Sequence, residues 1–291
     1  MFLQIDHKTE YRYAENVGLT PHLLRLIPRS SQGLLLLQSS VKVHPEASVR
    51  WNLDVQGNIV GFATFPSMID HLVISSSLRI EQKLTNPFDF LIDDRAMYLP
   101  ISYDERESSQ LYHFLNPREV ASDKSLEDML RPFLQSGSGG SSTLDVLIRF
   151  CRAIPGLFRY TARHEPGVRT VAETLKHGDG TCRDFAHLFM EAARSLGIAA
   201  RYVSGYLCSS PGTPGESHTH GWSELYLPGA GWRGFDPTNG ILAGAHHVAV
   251  ATSVAAGEIP PVEGSYCGKQ GLCIAHDVTI SARELLPGEV V

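Results

Sequence analysis

His177-Gly178-Asp179-Gly180-Thr181-Cys182-Arg183-Asp184-Phe185-Ala186-His187-Leu188-Phe189-Met190 decides how this chain is read. Two glycines and an aspartate interrupt the chain, and a helix follows at once. Phe185, Leu188, Phe189, Ala192, Ala193 and Leu196 recur at helical spacing and form an apolar face. Thr181 or Asp179 can cap its start, and Gly197 can end it. Cys182 then falls in the first turn, on the side of Phe185, with its sulfur toward the edge of the core. Unpaired N–H groups and the helix dipole favour a thiolate there, and the thiolate is the nucleophilic form. Because free cysteines commonly pack and stay inert, the reading depends on what the rest of the chain brings to this one.

Strand-like segments follow the helix: Ala199 to Leu207, His220 to Leu227 and, after the turn Pro228-Gly229-Ala230-Gly231, Trp232 to Asp236. The turn supplies a geometric test. With a three-residue loop of Pro228, Gly229 and Ala230, Leu227 pairs with Gly231 and His220 lies opposite Thr238. Asp236 is then a diagonal neighbour of His220 on the same face. A two-residue loop sends Asp236 to the opposite face, because side chains alternate. The hairpin therefore allows a His–Asp pair without forcing one. A helix start packed on this sheet would bring Cys182 to His220.

Upstream, the pattern is all-β from Phe2 to about Leu84. Segments 2–13, 23–27, 34–43, 49–55, 59–65 and 72–80 are rich in strand formers. Pro28, Gly33, Pro45, Gln56-Gly57-Asn58 and Pro66 break them. This spacing predicts a small β-sandwich. Its histidines, His7, His22, His44 and His71, are scattered and read as surface positions on strands. Residues 91–117 read as irregular. A helix begins near Ser125 and is disturbed by Pro132, and Ser136 to Ser142 form a flexible surface loop. Leu144 to Ile154 make a helix that Pro155 stops, with Cys151 on its apolar face. Phe158 to Thr161 read as a short strand, Thr170 to His177 as a short helix, and Asp277 to Ser281 as a last strand. The expected division is a β-domain over residues 1–90, a connecting segment over 91–142 and a second domain over 143–291.

Composition narrows the function. The 291 residues carry a net charge of −6 with both signs mixed, and no basic stripe points to nucleic acid. No apolar run approaches the ~20 residues of a spanning helix, and the N-terminus has no signal-peptide pattern. The five cysteines, Cys151, Cys182, Cys208, Cys267 and Cys273, are an odd set that fits reduced thiols and a cytoplasmic location. A zinc ribbon needs two pairs of cysteines at short spacing, and Cys267 and Cys273 make one loose pair at most. His246 and His247 have no carboxylate or cysteine at ligand spacing, so neither a metal nor a cofactor is expected.

Four blocks resemble the bacterial transglutaminase-like superfamily, whose members are often described as cysteine proteases. They are Gly180 to His187, Leu196 to Tyr206, His220-Gly221-Trp222-Ser223-Glu224 and Gly231 to Asn239, in the family's order. The β-rich first half, with Leu24-Arg25-Leu26-Ile27-Pro28 and Gln56-Gly57-Asn58, resembles the family's N-terminal domain. The resemblance implies an α+β, papain-like core, with Cys182 as nucleophile, His220 as base and Asp236 as orienting acid. Gly221 stands where the family usually has Ala. His218 would share a face with His220 on a strand, but the spacing to Trp222 favours His220. His187 is assigned to packing or hydrogen bonding, and Asp184 to the helix start or a pair with Arg201.

The expected activity is acyl transfer from peptide or protein amides through a thioester, with water as the acceptor. Three other readings are amine transfer as in a true transglutaminase, an amidase for small peptide conjugates or cell-wall stem peptides, and a non-catalytic binding module. The expected partner is a peptide or protein substrate, with neither nucleic acid nor membrane, and a dimer is compatible with the chain.

Overall fold

The computed structural model describes residues 1–117, 119, 124–134, 141–163, 167–210, 219–286 and 289. The first half contains β1 (Phe2–Leu19), β2 (His22–Leu24), β3 (Leu34–His44), β4 (Ser48–Leu53), β5 (Ile59–Thr64) and β6 (Ile69–Gln82). Helices α1 (Glu105–Leu115), α2 (Lys124–Leu134) and α3 (Thr143–Leu157) follow, then β7 (Arg159–Tyr160), α4 (Val171–His177), β8 (Asp179–Gly180) and α5 (Cys182–Ser195). The chain closes with β9 (Ala200–Leu207), β10 (Thr219–Leu227), β11 (Gly231–Asp236), β12 (Ile241–Leu242), β13 (His247–Ser253), β14 (Val262–Glu263), β15 (Tyr266–Cys267) and β16 (Cys273–Glu284). The fold is α+β with antiparallel sheets.

Long strands join the two halves. Leu72, Ile74, Ser76, Leu78, Ile80 and Gln82 of β6 alternate inward, so one face is buried along its length. Leu72 and Ile74 pack with Leu24 and Ala63 of the smaller β14-β2-β5-β4 sheet and with Leu26 just beyond β2, giving the expected sandwich. Farther along the same face, Leu78 and Ile80 pack with Tyr206, Val248 and Val250 of the β12-β11-β10-β9-β13 sheet. The hairpin tip adds a polar latch. Buried Asn58 donates to Thr252 O at 2.8 Å and accepts from Thr252 N–H at 2.8 Å, as a neighbouring strand would.

Several local expectations need correction. The last strand is longer than 277–281 and pairs with β1 from Leu3↔Glu284 to Tyr13↔Cys273. A division that follows chain order, with 143–291 as one unit, therefore separates β16 from the sheet it completes. Residues 91–117 are not all irregular, because α1 is there. Asp104 accepts from Glu107 N–H at 2.7 Å, and Glu107 accepts from Asp104 N–H at 3.1 Å, a capping box that stabilises an otherwise polar helix. Pro155 does not stop α3. It sits in the last turn, where a missing N–H costs one bond, and Phe158 N–H still reaches Ile154 O at 3.0 Å. Pro132 likewise lies inside α2. His7 and His22 are buried, not on the surface; His7 is held by Tyr206 Oη at 2.7 Å and Thr9 Oγ1 at 2.9 Å. Of the expected 136–142 loop, residues 136–140 lie outside the described residues, as does His218.

Candidate active site

The stretch that opens the sequence reading builds the site's floor. Thr181 precedes α5 in extended backbone, and Cys182 is the first helical residue. Its N–H therefore has no acceptor within the helix. Buried Asp184 fixes this start. One carboxylate oxygen accepts from Thr181 N–H at 2.8 Å and Thr181 Oγ1 at 2.9 Å. The other accepts from Arg163 Nη2 and Arg169 N–H, both at 2.8 Å. Asp184 thus supports the helix start and pairs with Arg163; Arg201 pairs with Glu224 instead. At the far end, Gly197 has φ 75°, Gly197 N–H bonds Arg194 O and Ile198 N–H bonds Ala193 O. This left-handed stop suits glycine, which has no Cβ to clash.

The hairpin adopts the register that allows the pair. Leu227 is opposite Gly231 and Ser223 opposite Phe235. Asp236 comes next, beside Trp222, with His220 two residues farther along the same face. His220 Nε2–H donates to Asp236 Oδ2 at 2.8 Å. Nδ1 is left for Cys182, whose sulfur is hydrogen-bonded to the His220 ring and accepts from Gly221 N–H. Ser223 Oγ donates to Ala186 O at 2.7 Å and ties β10 to α5. Cys182, His220 and Asp236 are therefore brought together.

Asp236 is more heavily held than the sequence suggests. It is fully buried. Oδ1 accepts from Thr238 N–H at 3.0 Å and Asn239 N–H at 3.2 Å; Oδ2 also accepts from Asn239 Nδ2 at 2.7 Å and His247 Nε2 at 3.1 Å. Sequence reasoning set His247 aside. Its signal is non-local, since β13 reaches the site only by pairing with β9 on the far side of the sheet. His220, Asp236 and His247 place possible ligand atoms within 4.8 Å of one another. Both histidine nitrogens already bond to Asp236 Oδ2, which gives the cluster the character of a hydrogen-bond network.

Electrostatics favour a charged pair. Burial alone would raise the Cys182 thiol, but its hydrogen bond with His220, the positive charge of that ring, Gly221 N–H and Arg183 hold it below the ordinary range. Burial pulls His220 down, yet the bonds to Asp236 and Cys182 raise it to about 10. Burial works against the Asp236 anion, and the donors from His220 and His247 overcome it, keeping the carboxyl well below the usual range. The buried Cys151 thiol, which donates to Ile241 O at 3.6 Å, is pushed up by burial, and Cys208 to about 12. Cys267 and Cys273 are free thiols. His187 lies at 2.9 Å from Glu119 Oε1, a hydrogen-bonding role.

A cleft of about 370 Å³ opens over Cys182. Tyr160, Tyr202, Ile259 and Pro260 line it, and His276 and Val278 of β16 form one wall. The β-sandwich half thus shapes the cleft. Tyr202 also explains Gly221: a Cβ there would collide with the Tyr202 hydroxyl and stand 3.0 Å from Tyr202 Cζ. An alanine at 221 would therefore require Tyr202 or β10 to shift.

Residues 131–237 match the model of the transglutaminase-like superfamily, and residues 3–81 match the bacterial transglutaminase-like N-terminal region. An uncharacterized protein of Mycobacterium leprae is 26% identical over 277 residues, 92% of this chain and 94% of that one. One from Mycobacterium tuberculosis is 26% identical over 276 residues, 90% of this chain and 86% of that one. The crystal structure of a "putative cysteine protease" from Cytophaga hutchinsonii has the same fold, with a TM-score of 0.69 at 18% identity, covering 97% of this chain and 90% of the other. No helix among the described residues is long and apolar enough to cross a membrane. With both models matched in order along one chain, this protein belongs to the transglutaminase-like superfamily.

Proposed function

We propose that this protein is a thiol-dependent hydrolase of peptide or protein amides, working through Cys182, His220 and Asp236. The observation that carries the reading is the continuous hydrogen-bonded line from the Cys182 sulfur through the His220 ring to Asp236 Oδ2, 2.8 Å from Nε2. The Cys182 thiolate attacks the amide carbonyl carbon and forms a C–S bond. The N–H of Cys182, unpaired at the helix start, is the first donor for the resulting oxyanion. The C–N bond breaks as His220 Nδ1 gives its proton to the leaving amine, and a thioester remains. Water then loses a proton to Nδ1 and attacks the thioester, releasing the acid and restoring the thiolate. Asp236 keeps the Nε2 proton in place and supports the imidazolium in both halves.

Water is proposed as the acceptor because the described lining of the cleft contains no carboxylate to select an amine cation. Five thiols without a disulfide fit a reducing compartment, and the cytoplasm is proposed on that ground. Mass spectrometry of glutamine-containing peptides incubated with the protein and an added primary amine tests the reading. Hydrolysed product, absent with Cys182→Ala, is expected. Stable amine conjugates in excess would make the protein an amine transferase, and no Cys182-dependent product from any amide would remove the enzyme reading.

A further inference from the structure

We propose that His247 is a positioning residue that braces Asp236 as an uncharged donor, leaving the carboxylate's charge to His220. The inference rests on the proposed role of the His220–Asp236 pair and extends it to a residue on a different strand.

The tautomer of His247 is set by geometry. Gly244 N–H donates to its Nδ1 at 3.2 Å. A backbone amide can only donate, so Nδ1 carries a lone pair and Nε2 carries the ring proton. That proton points at Asp236 Oδ2, 3.1 Å away. Protonating Nδ1 would set one N–H against another. The ring is also enclosed, with Trp222 packed edge-on at 5.3 Å and the His247 side chain 4% exposed.

Two histidines therefore meet one carboxylate oxygen with different duties. His220 faces Cys182 and takes up charge. His247 faces a backbone amide and does not. A second imidazolium would divide the single negative charge of Asp236, whereas a neutral donor fixes the direction of Oδ2 without taking a share. The other ionisable groups around this pair do not replace the brace. Cys151 of α3 is held neutral by burial, Glu224 of β10 is bound to Arg201 at 2.7 Å, and Arg233 of β11, which lines the same cavity as His247, sits over the Phe90 ring at 4.7 Å.

The test compares His247→Gln, which keeps a neutral donor, with His247→Phe, which keeps bulk and removes it. The reading is the rate of Cys182 alkylation by iodoacetamide across pH. Without the brace the carboxylate turns toward Thr238 and Asn239, His220 loses support and the thiolate forms at higher pH. His247→Phe should lose about tenfold of the alkylation rate at mildly acidic pH, a shift of about one pH unit, and His247→Gln should recover most of it. Alkylation in His247→Phe equal to the unaltered protein, or His247→Gln as impaired as His247→Phe, would overturn the proposal. Nitrogen NMR of the unaltered histidine-labelled protein gives a reading that needs no variant. At neutral pH the His247 ring proton should lie on Nε2, with Nδ1 unprotonated; a proton on Nδ1 contradicts the proposal even if circular dichroism shows that His247→Phe fails to fold. If Cys182 of the unaltered protein is not selectively alkylated, the proposed function fails, and the NMR result still decides the state of His247.

Discussion

His220 Nε2 lies 2.8 Å from Asp236 Oδ2, although the residues are sixteen apart in the chain. The contact exists because the hairpin loop has three residues. A loop of two would turn Asp236 to the other face. The separation of Cys182 from both is closed by packing, chiefly of α5 against β10.

Asp236→Asn keeps the shape and removes the charge that supports the His220 imidazolium. Amide hydrolysis should fall roughly 10²–10⁴-fold, and the thiolate of Cys182 should appear at higher pH. Stability should respond as well. His220 is raised from 6.5 to about 10 in the fold, so its contribution is complete below 6.5 and lost as pH rises through about 10. Cys182 is deprotonated in the same fold, so between about 6.5 and 8.5 the folded pair and the unfolded chain each hold one proton; urea midpoints of the unaltered protein should therefore decline mainly between about pH 8.5 and 10, and less in Asp236→Asn.

Gly221→Ala introduces the Cβ that meets the Tyr202 hydroxyl and ring. Shifting Tyr202 or β10 disturbs the amide that points at the Cys182 sulfur. Hydrolysis should drop at least about tenfold for a displacement of a few tenths of an ångström. Pairing it with Tyr202→Phe should recover part of the loss, because the nearest colliding atom is gone while the ring remains 3.0 Å away. Steady-state rates of the two variants check this.

Asn58→Ala removes both bonds to Thr252 and leaves a backbone N–H and C=O of β13 unpaired. A loss of about 1–3 kcal/mol is expected from urea unfolding. Thr252 lies on the same strand as His247, so loosening β13 should also weaken the site, seen as slower alkylation of Cys182 at mildly acidic pH.

Much of this was legible in local sequence. The capped helix after Gly180, its stop at Gly197 and the hairpin at Pro228 each follow from a few adjacent residues. The capping box at Asp104 and Glu107 is equally local, but it opens a polar stretch whose weak apolar pattern hides the helix. His247 and the cleft wall of His276 and Val278 were not legible in this way. They reach the site through strand pairings, β13 with β9 and β16 with β1, whose partners lie far apart in sequence. Tyr202 falls between these cases: it was visible as a strand residue, but its contact with Gly221 depends on the register of β9 against β10.

The central claim is that Cys182 is held as a thiolate by His220. Site-resolved mass spectrometry of iodoacetamide labelling at about pH 5.5, where an ordinary thiol near 8.5 is almost wholly protonated, tests it most directly. Cys182 should label well ahead of Cys151, Cys208, Cys267 and Cys273, and His220→Ala should abolish the lead. Equal labelling of all five thiols, or a lead that survives His220→Ala, would contradict the account.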